Sequence, residues 1–139
     1  SIKLRKSIEA YLDAGHGSCL LQRQEVAEII IESWRNFHLQ RYELIAYVVM
    51  PTHVHLLIKT YEGFPLDKVL HSWKSYTAHQ ILKIYPEAEH HGHFWQREYW
   101  DRYIRDEKHF VQAIDYIHNN PVKAGLCSKP EDWPWSSAT

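Results

Sequence analysis

Two apolar runs, residues 42–50 and 53–60, meet at Pro51-Thr52, and this junction constrains the chain more than any other stretch. The first run is near-continuously apolar, as a strand covered on both faces must be. The second returns after the tight turn as its hairpin partner. Side chains alternate faces along a strand, so His53 and His55 point one way while Val54, Leu56 and Ile58 point the other, toward a core. Two imidazoles so spaced suit a divalent ion. A merely polar strand face has the same pattern, so a residue elsewhere has to decide.

With 139 residues the chain supports one domain, 1–139, around a single core. The formal net charge of -1 excludes a globally basic protein, so a nucleic-acid site has to be a local patch. No apolar run is long enough to span a bilayer and no signal peptide opens the chain, which predicts a cytoplasmic protein without a membrane partner. Cys19 and Cys127 lie far apart and read as two reduced thiols.

Residues 2–12 place Leu4, Ile8, Tyr11 and Leu12 at helical spacing, with Gly15 and Gly17 as the stop. Residues 18–21 form a short extended piece. Helices follow over 24–38 and 66–85, the second ended by Pro86. Residues 94–105 have strand character, and His90, His91 and His93 before them read as a solvated loop. Asp106 caps a helix that Pro121 closes at residue 120, and the Trp- and Pro-rich tail packs on the body. This order predicts an α+β fold, a ferredoxin-like antiparallel sheet with helices on one face, and leaves it one N-terminal strand short.

In the helix 106–120, Phe110, Ile114 and Ile117 define an apolar stripe. At about 100° per residue Tyr116 lies nearly opposite Ile114, and His109, Gln112 and Asn120 share its side. Such a tyrosine either sits on the surface, packs on the tail, or is placed for chemistry. A protonated phenol is a poor nucleophile. A metal on His53 and His55 could polarise a phosphodiester for attack by the Tyr116 oxygen, with Asn120 as an oxygen ligand and Mg²⁺ or Mn²⁺ as the ion.

The sequence resembles the single-tyrosine HUH transposases, and within them the REP-associated tyrosine transposases of bacteria. The resemblance rests on Met50-Pro51-Thr52-His53-Val54-His55, Ser72-Trp73-Lys74-Ser75, Phe94-Trp95-Gln96-Arg97-Glu98, Asp101-Arg102-Tyr103-Ile104-Arg105, Tyr116-Ile117-His118-Asn119-Asn120-Pro121-Val122-Lys123-Ala124-Gly125 and Asp132-Trp133-Pro134-Trp135, in that order. It implies a ferredoxin-like fold and metal-dependent cleavage and rejoining of single-stranded or hairpin DNA. The intermediate would be a 5′-phosphotyrosine on Tyr116, with His53, His55 and Asn120 as metal ligands. Members act as monomers or homodimers.

Residues 94–105 interleave aromatics with arginines, the two residue types that hold single strands by stacking and phosphate contact. As a strand, this segment would show Trp95, Arg97, Tyr99, Asp101, Tyr103 and Arg105 on one face and give Phe94, Trp100 and Ile104 to the core. Trp73, Lys74, Arg102 and Lys123 complete the candidate DNA contacts. A transposase-derived protein that binds DNA hairpins without cleaving them is the alternative, and an RNA- or nucleotide-processing protein that needs no covalent tyrosine is another.

Overall fold

The computed structural model describes residues 7–15 and 19–139. Seven main elements follow one another: β1 (Ser7–Asp13), α1 (Gln24–Asn36), β2 (Tyr42–Val49), β3 (His53–Thr60), α2 (Leu66–Ile84), β4 (Trp100–Tyr103) and α3 (Glu107–Lys123). The four strands form one sheet in the order β2-β3-β1-β4, with every neighbouring pair antiparallel. This is the α+β, ferredoxin-like sheet that the element order implies.

The N-terminal strand is not missing. It is β1, in the stretch read as a helix. Leu4, Gly17 and Ser18 lie outside the described residues, but Ile8, Tyr11 and Leu12 are in the strand. Ile8, Ala10 and Leu12 alternate with Ser7, Glu9, Tyr11 and Asp13. Four apolar residues at helical spacing obscured that period of two. Leu20 and Leu21, expected to be extended, belong to a 3-10 turn over Leu20–Gln22.

Helices cover both faces of the sheet rather than one. On one face Ala10, Leu12, Val54, Leu56 and Ile58 meet α1 and α2 through Ile30, Trp34, Leu70 and Trp73. On the other, Ala46, Val48, Leu57 and Ile104 meet Ala113 and Ile117 of α3. β3 lies between β2 and β1, paired on both edges, and the helices on the two faces cover its odd and even positions alike. The first core carries an aromatic chain, with Trp73 edge-on to Trp34 at 5.5 Å and to Trp95 at 5.3 Å between ring centroids. Trp95 is 4% exposed, and its Nε1 donates to Thr77 Oγ1 at 2.9 Å.

Asp106 caps α3 as expected, its Oδ1 accepting from the His109 amide at 2.7 Å. Pro121 does not close this helix, which runs on to Lys123 with Pro121 buried inside it. The proline ring fills a sheet-facing position, and the bond from the Ala124 amide to the Asn120 carbonyl, 3.1 Å, carries the last turn past it. The tail lies along the free edge of β2. Val49 donates to the Trp135 carbonyl, and the Ser137 amide to the Tyr47 carbonyl. Trp133 Nε1 reaches the Val49 carbonyl at 2.9 Å. Cys19 and Cys127 are free thiols, and no helix among the described residues is long and apolar enough to cross a membrane.

Glu9, in the middle of the sheet, is 3% exposed and joins three elements. Its Oε2 accepts from Arg102 Nε and Nη2 on β4, at 3.1 and 3.0 Å. The same oxygen lies 2.9 Å from His109 Nε2 on α3. Burial alone would raise this carboxyl. The opposing contacts of His55, His109 and Arg102 outweigh it and lower the pKa from 4.5 to about 2.

Two stability outcomes follow from this packing. Trp95→Ala should cost several kcal/mol, roughly 3–5 for a buried tryptophan, whereas Trp100→Ala, at an exposed position, should cost under about 1. Urea titrations of both variants measure this, and equal losses would contradict the assignment of the two rings. A carboxyl with a depressed folded pKa contributes stability that is complete above its unfolded value and disappears as pH falls through the folded one. The stability gap between wild type and Glu9→Gln should therefore be widest above about pH 5 and should close as pH falls toward about 2. Parallel pH–stability curves would show that the ionised carboxylate does not support the fold.

Candidate active site

Strand pairing decides which side chains gather on the α3 face. Residues directly opposite in an antiparallel pair share a face. Val48, His55, Tyr11 and Trp100 therefore form one row across the four strands, and Leu57, Glu9 and Arg102 form the next. His53, opposite Asp13, shares this face with His55 at the turn end of β3. The sequence pattern thus predicts the orientation of both histidines correctly.

His55 is 3% exposed, and both of its ring nitrogens are buried without a hydrogen-bond partner. Its Nε2 lies 3.5 Å from Glu9 Oε1, within ion-pair range but too far for a good hydrogen bond. His53 is half-buried, and the Tyr11 ring stacks on it at 4.6 Å with 24° between planes. Tyr11 also meets His55 edge-on at 5.9 Å. Burial pushes the His53 pKa below the usual imidazole value and the neighbouring His55 adds to this, while Asp13 opposes it. A neutral imidazole is the form that ligates a metal.

The buried stripe of α3 is His109, Ala113, Ile117 and Pro121, with Phe110 and Ile114 only partly buried on one flank. Tyr116 is not opposite the core. It lies about 60° round the helix from Ala113 at the ideal angular step, on the other flank of the stripe. The error came from centring the stripe on Ile114, because a buried histidine does not register as apolar. His109, placed on the outer side from sequence, is a core residue whose Nδ1 accepts from the Arg105 amide at 3.0 Å.

Tyr116 is 50% exposed, and its ring stands edge-on to His55 at 5.6 Å. Lys123 Nζ is 5.3 Å from the same ring. Asn120 follows one turn later, half-buried and on the sheet-facing side of α3 by helical phase. Tyr116, His55 and Tyr11 line one cleft with Glu9, Trp100 and Arg105. Burial pushes the Tyr11 phenol up, and Asp13 and Tyr116 push it further, so Tyr11 is held as the protonated phenol.

The candidate DNA contacts divide sharply. Trp73 and Trp95 are core residues at 4% exposure and have no ring face free for a base. Lys74 is half-buried, with Nζ donating to the Gln96 carbonyl at 3.2 Å, so it fastens the loop before β4. Tyr103 and Asp101 pair with Ile8 and Ala10 of β1 and so lie on the face away from the histidines. Phe94 and Ile104 are buried as expected, but Trp95 is buried with them and Trp100 is exposed, lying with Arg102 on the α3 face. The strand is only four residues long, and the irregular chain before it breaks the alternation counted from Trp95. Arg97 is exposed in a separate cleft with His90, His91 and His93, the solvated loop expected from sequence. Arg105 lines the Tyr116 cleft, and Lys123 stands beside the tyrosine.

Among the described residues no group of three His, Cys, Asp or Glu is gathered as a metal cage. The donor set on this face is two imidazoles; the amide side chain that lines the cleft with His55 and Tyr116 is Gln112, while Asn120 lies one turn past Tyr116. The one lone pair of a neutral His55 ring fits a cation, since a buried lone pair without a donor is otherwise a cost. Sequence reading missed Glu9, Tyr11 and Trp100. The polar half of the β1 alternation was the signal for the first two.

Comparison with known proteins bears on this arrangement. The family model "Transposase IS200 like" matches residues 20–120. A REP-associated tyrosine transposase of Escherichia coli K12 is 33% identical over 96 residues, covering 69% of this chain and 54% of the relative. A Haemophilus influenzae protein assigned to the same group is 31% identical over 106 residues, covering 69% of this chain and 58% of its own length. The chain thus spans little more than half the length of these relatives. A solved structure of a REP-associated tyrosine transposase bound to a REP hairpin superposes with a TM-score of 0.75 at 27% identity, covering 96% of this chain and 76% of that one. The sheet order, the paired histidines beneath α3 and the matched span lead to one assignment: the chain belongs to the IS200-like transposase family.

Proposed function

We propose that this protein is a metal-dependent single-stranded DNA nuclease and strand transferase that uses Tyr116 as its nucleophile. The observation that carries the reading is the Tyr116 ring 5.6 Å from a buried His55 whose Nδ1 has no hydrogen-bond partner. His53, His55 and Asn120 would hold Mg²⁺ or Mn²⁺. When bound, that ion supplies Lewis-acid polarisation of the scissile phosphate. The Tyr116 oxygen attacks phosphorus and loses its proton. The new bond is tyrosyl O–P, the broken bond is P–O3′, and the 3′ oxygen leaves as a hydroxyl after taking up a proton. The 5′ phosphate stays on Tyr116, and attack by another 3′-hydroxyl reverses these bonds and joins strands. The Lys123 ammonium stands beside the Tyr116 ring, where it can meet the phosphate that the phenol attacks.

The DNA partner follows from the surface around the cleft and from the hairpin bound by the solved relative. Trp100, 47% exposed with Arg102 5.1 Å from its ring, offers a stacking surface beside the nucleophile. Arg105 and Lys123 supply phosphate contacts. We place the activity in the cytoplasm, with the protein acting as a monomer or homodimer.

Denaturing electrophoresis with labelled single-stranded DNA and Mn²⁺ tests the nucleophile. Wild type should form a covalent adduct that peptide mapping places on Tyr116. Tyr116→Phe should form none, and His53→Ala/His55→Ala should lose it at least 100-fold, about 2.7 kcal/mol of transition-state stabilisation. Tyr11→Phe is the informative control, since Tyr11 is the other phenol against the histidines. An adduct on Tyr11, or cleavage by Tyr116→Phe, would refute the assignment. DNA binding with no adduct in wild type would instead favour the hairpin-binding protein without turnover.

The phosphate contacts are tested separately. The slope of log affinity against log salt should become shallower by about 1.4 in Arg105→Ala/Lys123→Ala, at about 0.7 per phosphate contact for single strands. An unchanged slope would remove both residues from the interface.

A further inference from the structure

The carboxylate of Glu9 has two oxygens with different surroundings. Oε2 faces three donors, Arg102 Nε and Nη2 and His109 Nε2, all within 3.1 Å. His109 can donate only from Nε2, because its Nδ1 accepts the Arg105 amide. Arg102 and His109 thus fix the carboxylate plane from β4 and α3. Oε1 is directed at His55 Nε2, 3.5 Å away, and both side chains are 4% exposed.

A carboxylate anion only accepts, so the imidazole nitrogen facing it is the one that carries the proton. The proton of neutral His55 then sits on Nε2, and the lone pair is on Nδ1, which is buried and has no donor against it. We infer that Glu9 is a positioning residue for the metal site: it fixes the ring orientation and tautomer of His55 so that Nδ1 is the nitrogen presented to the divalent ion. This deepens the proposed function and rests on its metal reading. The arrangement is a carboxylate–histidine pair behind a ligand, whose loss typically weakens metal binding about 10–100-fold.

The fold supplies the rigidity that this role needs. Glu9 and His55 sit on neighbouring strands, with His55 paired to Tyr11 and Glu9 to Leu57, so the two side chains are diagonal neighbours on one face. His109 lies on the helix that carries Tyr116. One carboxylate therefore positions the histidine and also anchors the helix of the nucleophile.

The test uses the full chain with Mn²⁺ alone and needs no catalysis. In metal-free wild type, the ¹⁵N shifts of His55 should report the Nε2–H tautomer. Glu9→Gln keeps the size and can still accept from Arg102 and His109, but it turns an amide N–H toward His55. This variant should shift His55 to the Nδ1–H form and weaken Mn²⁺ binding by about 10–100-fold. His109→Gln separates positioning from stability: it removes the imidazole that ties α3 to Glu9 while leaving both Arg102 contacts to Oε2 and the Oε1 that faces His55, so it should melt earlier yet keep the Nε2–H tautomer of His55. An Nδ1–H tautomer in wild type would overturn the inference even if Glu9→Gln does not fold. Mn²⁺ binding that Glu9→Gln matches would overturn it while leaving the metal reading intact. Absence of Mn²⁺ binding in wild type would overturn both.

Discussion

The site depends on one buried negative charge. A carboxylate held away from water is tolerated only when its oxygens are met by donors. Glu9 satisfies this condition with groups from two further elements, Arg102 on β4 and His109 on α3. Since α3 carries Tyr116, the distance between that phenol and His55 is fixed partly through this contact. The requirement to pair Glu9 thus links the packing of the second core to the geometry on which the proposed chemistry rests.

The central position of β3 has a related consequence. A strand hydrogen-bonded on both edges and covered on both faces has no solvent side for its polar residues. His55 is therefore buried, and its nitrogens must find partners inside the protein or on something bound to it. His53, at the turn end, is only half-buried and receives the Tyr11 ring instead. The histidines share a face but not an environment: His55 faces the Glu9 carboxylate and meets Tyr11 and Tyr116 only edge-on, whereas His53 is stacked by the Tyr11 ring. The opposite face is spent entirely on stability, with Val54, Leu56 and Ile58 against α1 and α2.

Aromatic residues show how context assigns a side chain to packing or to function. Trp95 and Trp100 are five residues apart in one aromatic stretch and look interchangeable as stacking groups. Trp95 is enclosed between α2 and the end of β1, with its indole N–H on Thr77. Trp100 is paired with Tyr11 at the sheet edge, where it borders the cleft. Lys74 shows the same division, as its ammonium is engaged by the carbonyl of Gln96.

The sequence by itself determined the β2–β3 hairpin, the shared face of His53 and His55, the capped helix that carries Tyr116 and the packed tail. Each is written in a period of two, a period of 3.6, a cap or a Pro-rich turn, and those signals are local. It also carried β1, in the alternation of Ser7, Glu9, Tyr11 and Asp13 with Ile8, Ala10 and Leu12, but helical spacing of a few apolar residues masked it. Only the tertiary structure decided that α3 lies on its own face of the sheet, that Tyr116 flanks the buried stripe instead of opposing it, and that Glu9 faces both His55 and His109. The reason is physical. His109 and Glu9 are polar by composition, and they become core residues only because partners 46 and 100 positions from Glu9 are brought against it by strand pairing and helix docking, which no local period records.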